Sequence, residues 1–274
     1  MDVDSAQMSR RLLTGLLVVT ALVAAATVEA QFRRYGIRLA TPDSFDGRFN
    51  FCRIAFRAGF NGDGGGWSVD YPQADINFST RLSELTLTRI SRDTAGNPNH
   101  LVLRLTDKEL FECPFIMMTE VGTATLTKEE ATALRTYLLK GGFLWADDFW
   151  GSYAWNYWAA QIRQVLPPTE YPIIDLAVDH PLFRTQFEIR QMPQISSIGF
   201  WRGTGGTSER GPDSAIPHAR AITDKHGNVI VLMTHNTDIG DSWEREAEDP
   251  EYFYNFSVPG YSLGINALLY ALTH

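Results

Sequence analysis

Residues 232–246, LMTHNTDIGDSWERE, bring together four groups that ligate metals or move protons. His235, Asp238, Asp241 and Glu244 are spaced three apart, directly after the apolar run NVIVLM. Imidazole titrates near neutral pH, and carboxylates serve as acids, bases and ligands. The spacing restricts what they can do together. At 3.6 residues per helical turn, each three-residue step drifts by about 60°, so His235 and Glu244 end on opposite faces. No regular helix aims all four at one ion. A loop brings His235 and Asp238 together, but imidazole favours transition metals while carboxylates favour calcium or magnesium. No HExxH or EF-hand spacing accompanies them. No metal is assigned on this basis; His235 and Asp238 are the candidate ligands if a divalent metal binds. The competing reading is architectural. Asn236 and Asp238 cap a turn, and residues 243–246 begin a solvated helix, with Asp241 and Glu244 near its start.

A second acidic group, Asp147-Asp148, closes the apolar run GFLWA. Successive strand residues point to opposite faces, so only one of the two can face a cleft. Asp148 paired with His235 would make a catalytic acid–base or metal-assisted site, with Asp147 as a ligand contact; alternatively, one aspartate caps the helix that follows near residues 151–153. The neighbouring Trp145, Phe149, Trp150, Tyr153, Trp155, Tyr157 and Trp158 read as core or as a stacking platform for sugar rings. Two glycine-rich loops add further candidates. Residues 203–218, GTGGTSERGPDSAIPH, offer Ser208, Glu209, Arg210 and His218 as ligand contacts, with Arg210 suited to clamp a carboxylate or phosphate. Ser208 stands outside any G-x-S-x-G nucleophile elbow. Residues 61–75, NGDGGGWSVDYPQAD, offer Trp67 and Asp70, against the plainer reading of a flexible surface loop. They lack the dinucleotide fingerprint and the P-loop lysine, so no nucleotide cofactor is implied.

These residues need elements to position them. RFNFCRIAF (48–56) reads as a first strand, INFSTRLSEL (76–85) as a helix, and FIMMT (115–119) as a buried strand. Thr127 and Glu130 form a capping box before an apolar stripe of Ala131, Leu134, Leu138 and Leu139, and Gly141 occupies a left-handed C-terminal position. GFLWA is the next strand and YAWNYWAAQIRQVL the next helix. HARAITD and NVIVLMT flank a K-H-G turn as a hairpin, and GYSLGINALLYAL closes the chain as a helix. Strands alternating with helices, with FIMMT and GFLWA nearly all apolar, predict an α/β fold with a mostly parallel sheet covered on both faces. Sites in such sheets lie beyond the carboxyl ends of the strands, where both Asp147-Asp148 and THNTD fall.

Composition agrees with one globular α/β domain at residues 48–274, after an irregular lead-in at 31–47: 274 residues, 44% hydrophobic and 20% charged. The net charge of −8 and the absence of Lys/Arg clusters argue against nucleic acid as partner. Arg10-Arg11 precede the apolar stretch 12–26, and VEA precedes Gln31. This predicts a secretory signal peptide cleaved after Ala30 and an extracytoplasmic, periplasmic location. Uncleaved, the same segment would be the sole contact with a membrane. Cys52 and Cys113 either pair in an oxidising compartment or remain two buried thiols.

Several segments together carry a resemblance. YLLKGGFLWADDFWG, DHPLF, GGTSERGPDSAIPHAR, VLMTHNTDIGDSWERE and the C-terminal EYFYNFSVPGYSLGINALLYALTH closely resemble the domain-of-unknown-function 4159 family (DUF4159), from about Phe49 to the C-terminus. The resemblance implies an exported or membrane-associated bacterial protein and no established activity. More distantly, KGGFLW, DHPLF, GNVIVLMTHN and a final helix, in that order, are similar to the trehalose-utilisation (ThuA-like) branch of the class I glutamine amidotransferase-like fold. This implies a flavodoxin-like arrangement with a nucleophile elbow after one strand. Here GFLWADD offers aspartate at that elbow, not cysteine, so glutaminase chemistry has no nucleophile. The expectation is a noncatalytic envelope binding or assembly module, whose acidic and aromatic cleft holds a small polar ligand or an envelope protein. The alternative is a metal-assisted hydrolase or lyase using His235 with Asp147 or Asp148.

Overall fold

Short apolar runs bounded by turn residues become strands because a sheet buries them on both faces without needing helical length. The computed structural model describes residues 37–274, so the expected signal segment at 1–30 lies outside the described residues. The strands are β1 (Phe51–Ile54), β2 (Arg57–Ala58), β3 (His100–Leu103), β4 (Phe115–Thr119), β5 (Ala124–Thr125), β6 (Phe143–Asp147), β7 (Ile174–Asp175), β8 (His218–Thr223) and β9 (Val229–His235). Seven form one sheet in the order β3-β1-β4-β6-β9-β8-β7, while β2 and β5 pair separately. β3, β1, β4, β6 and β9 are parallel neighbours, and β8 runs antiparallel to β9. Counted along the chain, the five parallel strands lie in the order 2-1-3-4-5, consistent with a flavodoxin-like α/β fold. Winding reverses between β1 and β4, which sets the crevice where such sheets bind ligands.

The α-helices of six residues or more are α1 (Gln73–Leu85), α2 (Lys128–Leu139), α3 (Gly151–Val165), α4 (Ile198–Thr204), α5 (Ile239–Glu244) and α6 (Val258–Thr273). A π-helical turn, Phe253–Ser257, leads into α6. α2 begins as its sequence predicts: Thr127 accepts from Glu130 N, and Glu130 accepts from Thr127 N. It ends at Gly141, with φ 98°. No helix of the described residues is long and apolar enough to cross a membrane.

The period-2 alternation of the strands sorts side chains between two cores. Phe115, Met117, Phe143, Trp145 and Leu232 face a layer containing Phe78 of α1, Trp243 of α5 and Leu268 of α6. Ile116, Met118, Leu144, Ala146, Val231 and Met233 face Leu134 of α2 and Trp158 of α3. On the first side, Trp243 packs against Phe51, Phe78 and Trp145 with ring centroids 4.6–6.3 Å apart. Aromatic pairs in this geometry stabilise beyond their buried area. The helix expected to start at residue 243 in solvent therefore starts at Ile239, with Trp243 fully buried. β3 has only four residues, too few to show a period in the sequence.

Two constraints tie the loops to this frame. Cys52 of β1 is disulfide-bonded to Cys113 just before β4, with Cα atoms 6.3 Å apart across 61 residues of sequence. Arg53, the next residue, is fully buried. Its Nε donates to both oxygens of Asp75 at 3.1 Å, and its Nη1 donates to the carbonyls of Trp67 and Val69 at 3.3 and 3.1 Å. One guanidinium thereby fastens the glycine-rich loop 61–72 and the first turn of α1 to the sheet. Neither partner stands out in the sequence, because a lone arginine in an apolar run carries no motif.

Two outcomes follow from these ties. Replacing Cys52 with alanine should lower unfolding free energy by about 4 kcal/mol, from the entropy of the released loop, as read by urea denaturation against the oxidised chain. Arg53→Met should cost about 3–5 kcal/mol by leaving Asp75 buried and unpaired, and much of that loss should return in Arg53→Met/Asp75→Leu.

Candidate functional site

Three neighbouring parallel strands end in the same unusual way. The residue after β4 is Glu120 (φ 52°), after β6 Asp148 (φ 55°) and after β9 Asn236 (φ 63°); Asp70, in the loop that enters α1, has φ 63°. These are the non-glycine residues of left-handed backbone among the described residues. That conformation costs an L-residue roughly 1–2 kcal/mol, and folds concentrate such strain where function needs it. Glu120, Asp148 and Asp70 all line one pocket of about 230 Å³ beyond the carboxyl ends of the strands. Asp238, Asp241 and Glu244 enter it from the segment after β9, and Asp63, Glu209 and Arg210 close its rim.

Distances within the pocket are short. Carboxylate oxygens of Asp70, Asp148 and Asp238 lie within 4.8 Å of one another, and so do those of Asp70, Asp241 and Glu244. Asp148 accepts from Trp150 Nε1 at 2.9 Å, and Asp238 accepts from Asp241 N at 2.8 Å as the N-cap of α5. Asp241 accepts from Ile198 N and the Tyr252 hydroxyl at 2.9 and 2.8 Å, with Arg245 at 3.5 Å. Glu244 pairs with Arg245 at 2.7 Å. Asp70 Oδ2 is buried and accepts no hydrogen bond from the described residues. Its approach to α5 requires glycine at 240, where a Cβ would come within 2.5 Å of that oxygen.

Burial pushes the carboxyl groups of Asp70, Asp148 and Asp238 well above the ordinary carboxylate range, and neighbouring carboxylates push the same way. Burial also raises Glu120 to about 7, partly opposed by a hydrogen bond from the Gly65 backbone. The pocket thus gathers acidic groups whose burial and mutual repulsion favour the protonated form unless a positive partner joins them.

The two adjacent aspartates have different tasks. Asp147 faces the α5 side, where it accepts from Ile239 N and Gly240 N at 2.9 and 3.1 Å and from the Thr234 hydroxyl. Burial raises it to about 7 despite those donors. It therefore caps the helix after β9. The helix after its own strand, α3, is capped instead by Asn236 on Gly151 N and Asp213 on Ser152 N, both at 2.8 Å.

His235 is turned away from the carboxylates. It falls on the other face of β9, where its ring packs on Phe149 and Trp155 with centroids 5.0 and 5.4 Å away. Nε2 meets the Gly151 carbonyl at 2.9 Å and Nδ1 meets Arg220 Nη1 at 3.0 Å. A carbonyl only accepts and a guanidinium only donates, so Nε2 carries the proton and Nδ1 is the acceptor. Burial lowers its pKa to about 4. Both nitrogens of this neutral ring are committed, which leaves neither for a metal or a substrate proton. His218 stacks beside it from β8, centroids 5.8 Å apart, and also lies outside the pocket.

The remaining candidates divide. Glu209 accepts from Ser197 N at 2.7 Å, and Arg210 pairs with Asp63 at 3.1 Å, joining the two glycine-rich loops across the pocket mouth. Ser208 is spent on Gly211 O and Ser214 within its own loop. Trp67 offers its carbonyl to Arg53 and its ring to Tyr71, 5.9 Å away, and does not line the pocket. Of the aromatic cluster, Trp145 and Trp158 are core, while the buried Phe149 and Trp150 also line the pocket. Glu120 was legible only as a polar residue after FIMMT; its backbone geometry is what marks it.

A carboxyl whose pKa is raised by folding holds its proton more tightly in the native state. Its contribution to stability is complete below the unfolded value of about 4 and is lost as pH rises through the folded value. The chelator-treated protein should therefore melt at progressively lower temperature from about pH 5 to about pH 8 at low salt. A calorimetric profile that stays level or rises would contradict these shifts.

A family model described as a domain of unknown function, DUF4159, matches residues 52–272, a span that contains every carboxylate of the pocket. No curated protein matches the chain. With well over half of its length matched, the chain belongs to the DUF4159 family.

Proposed function

We propose that this protein is an exported, noncatalytic binding or assembly module of the bacterial envelope, whose strand-end pocket holds a positively charged group on a small polar ligand or a partner protein. The observation that carries the reading is the convergence of Asp70, Glu120 and Asp148, each on left-handed backbone, with Asp238 in one small pocket. Eight acidic side chains line that pocket against two arginines, Arg210 and Arg245. Like charges gathered in low dielectric repel and desolvate poorly, so the arrangement favours an occupant that brings positive charge.

The amidotransferase-like resemblance supports the same reading. In nucleophile-elbow folds a strained turn after a strand presents the attacking atom. The turn after β6 presents Asp148 instead, and both cysteines are joined to each other. A hydrolase or lyase using His235 as base finds no support in a ring whose nitrogens are both occupied, nor in Asp147, whose oxygens serve α5 and Thr234. Export is supported by the Cys52–Cys113 disulfide, since such bonds persist in oxidising compartments.

Trp150 donates to Asp148 and so provides an optical probe of the pocket. Lysine-rich peptides or polyamines should quench or shift its fluorescence saturably, while acidic peptides should not. Asp148→Asn and Asp238→Asn should each weaken that binding by roughly tenfold, the cost of about 1.4 kcal/mol of interaction. Binding indifferent to both substitutions, or hydrolysis of an amide, ester or glycoside that His235→Ala abolishes, would sink the proposal. Cell fractionation tests the location: recovery in the cytoplasm with both thiols reduced would remove the envelope assignment.

A further inference from the structure

We infer that Asp70, Asp148 and Asp238 form a binding site for one hard divalent cation, a closer specification of the charge-accepting pocket proposed above and dependent on that reading. Three oxygens within 4.8 Å of one another surround a point no more than about 2.8 Å from each, close to the 2.3–2.6 Å of calcium–oxygen bonds. Only small side-chain movements separate the arrangement from coordination. The donors are all carboxylates, without histidine or cysteine, which suits calcium, magnesium or manganese rather than zinc or copper.

An independent observation points to the same occupant. Asp70 is more than nine-tenths buried, with 7% of its surface accessible, and its Oδ2 accepts no hydrogen bond from the described residues. A buried carboxylate oxygen left without a partner carries the full cost of its desolvation. The backbone around it makes room at some expense: Asp70 adopts φ 63°, and glycine at 240 leaves the space in front of Oδ2 open. Nearby cationic side chains are committed elsewhere. The Arg53 donors go to Asp75 and the carbonyls of Trp67 and Val69. Arg245 pairs with Asp241 and Glu244, so the second carboxylate group around Asp70 already contains its counter-charge. The group made by Asp70, Asp148 and Asp238 contains none, and there the ion belongs. Volume of about 230 Å³ beside it leaves space for water, or for an anionic ligand group, to complete the coordination sphere.

The test uses the purified chain stripped with chelator. Calcium, magnesium and manganese chlorides are titrated separately by isothermal calorimetry and by thermal shift, with sodium chloride at matched ionic strength as control. The expected result is saturable binding of one ion per chain by at least one of the three, with a rise in melting temperature larger at pH 8 than at pH 5. Asp148→Asn and Asp238→Asn should each weaken the affinity by roughly tenfold or more. Both variants relieve repulsion in the ion-free protein and should fold at least as stably as it does, so a lost signal cannot be blamed on unfolding. His235→Ala, outside the pocket, should leave the affinity unchanged. Absence of saturable binding by all three ions overturns the inference, as does binding that survives Asp148→Asn. If polyamines still bind in an Asp148-dependent manner while the ions do not, the ion site falls and the wider pocket reading stands. If neither binds, both fall.

Discussion

Several buried carboxylates in one pocket cannot all be anions unless positive charge joins them. Asp70, Asp148 and Asp238 meet within 4.8 Å, and two further acidic groups approach Asp70 from α5. In water such crowding is screened; inside a protein it is not, and the groups answer by holding protons or by taking a cation. Much of the local architecture bears on this constraint. Arg53 lies beneath the loop that presents Asp70, Arg245 neutralises the outer carboxylates, and the N–H groups of α5 draw Asp147 and Asp238 into caps. Each arrangement disperses negative charge, and none of these donors reaches Asp70 Oδ2.

The sheet explains why carboxylates converge there at all. In a parallel sheet of order 2-1-3-4-5, the chain leaves every parallel strand at the same edge, so residues distant in sequence become neighbours. Glu120, Asp148 and Asn236 each follow a strand directly and each turn the chain through a left-handed residue. Asparagine and aspartate tolerate that conformation better than most residues. Two of these positions deliver acid to the pocket, while Asn236 turns its side chain to cap α3. The pocket and the helix caps are thus built from the same strand ends. Alternation along β6 and β9 then decides which residue goes where. Asp147 and Thr234 share one face, and His235 belongs to the other.

The strands FIMMT and GFLWA, the capping box of α2 and the β8–β9 hairpin were legible because they rest on local periods and on turn chemistry. The acidic group at 238–244 and the pair at 147–148 were legible as chemistry but not as geometry. His235 stood out because imidazole is rare and reactive, yet whether it reaches a cleft depends on the face it takes in β9 and on Arg220 across the hairpin. Arg53 and Asp75, which hold the glycine-rich loop, gave no local sign, since a buried ion pair is recognisable only once both partners are placed.

By itself the sequence determined the class of fold and the edge of the sheet at which a site would lie, because hydrophobic period and element order are local properties read along one chain. It also set the acidic character of that edge. Tertiary structure alone decided which carboxylates meet, that Asp70 joins them from a loop far away in sequence, and that Cys52 pairs with Cys113. Those outcomes depend on strand order, register and backbone direction at the strand ends, which arise only when segments remote in sequence are packed against one another.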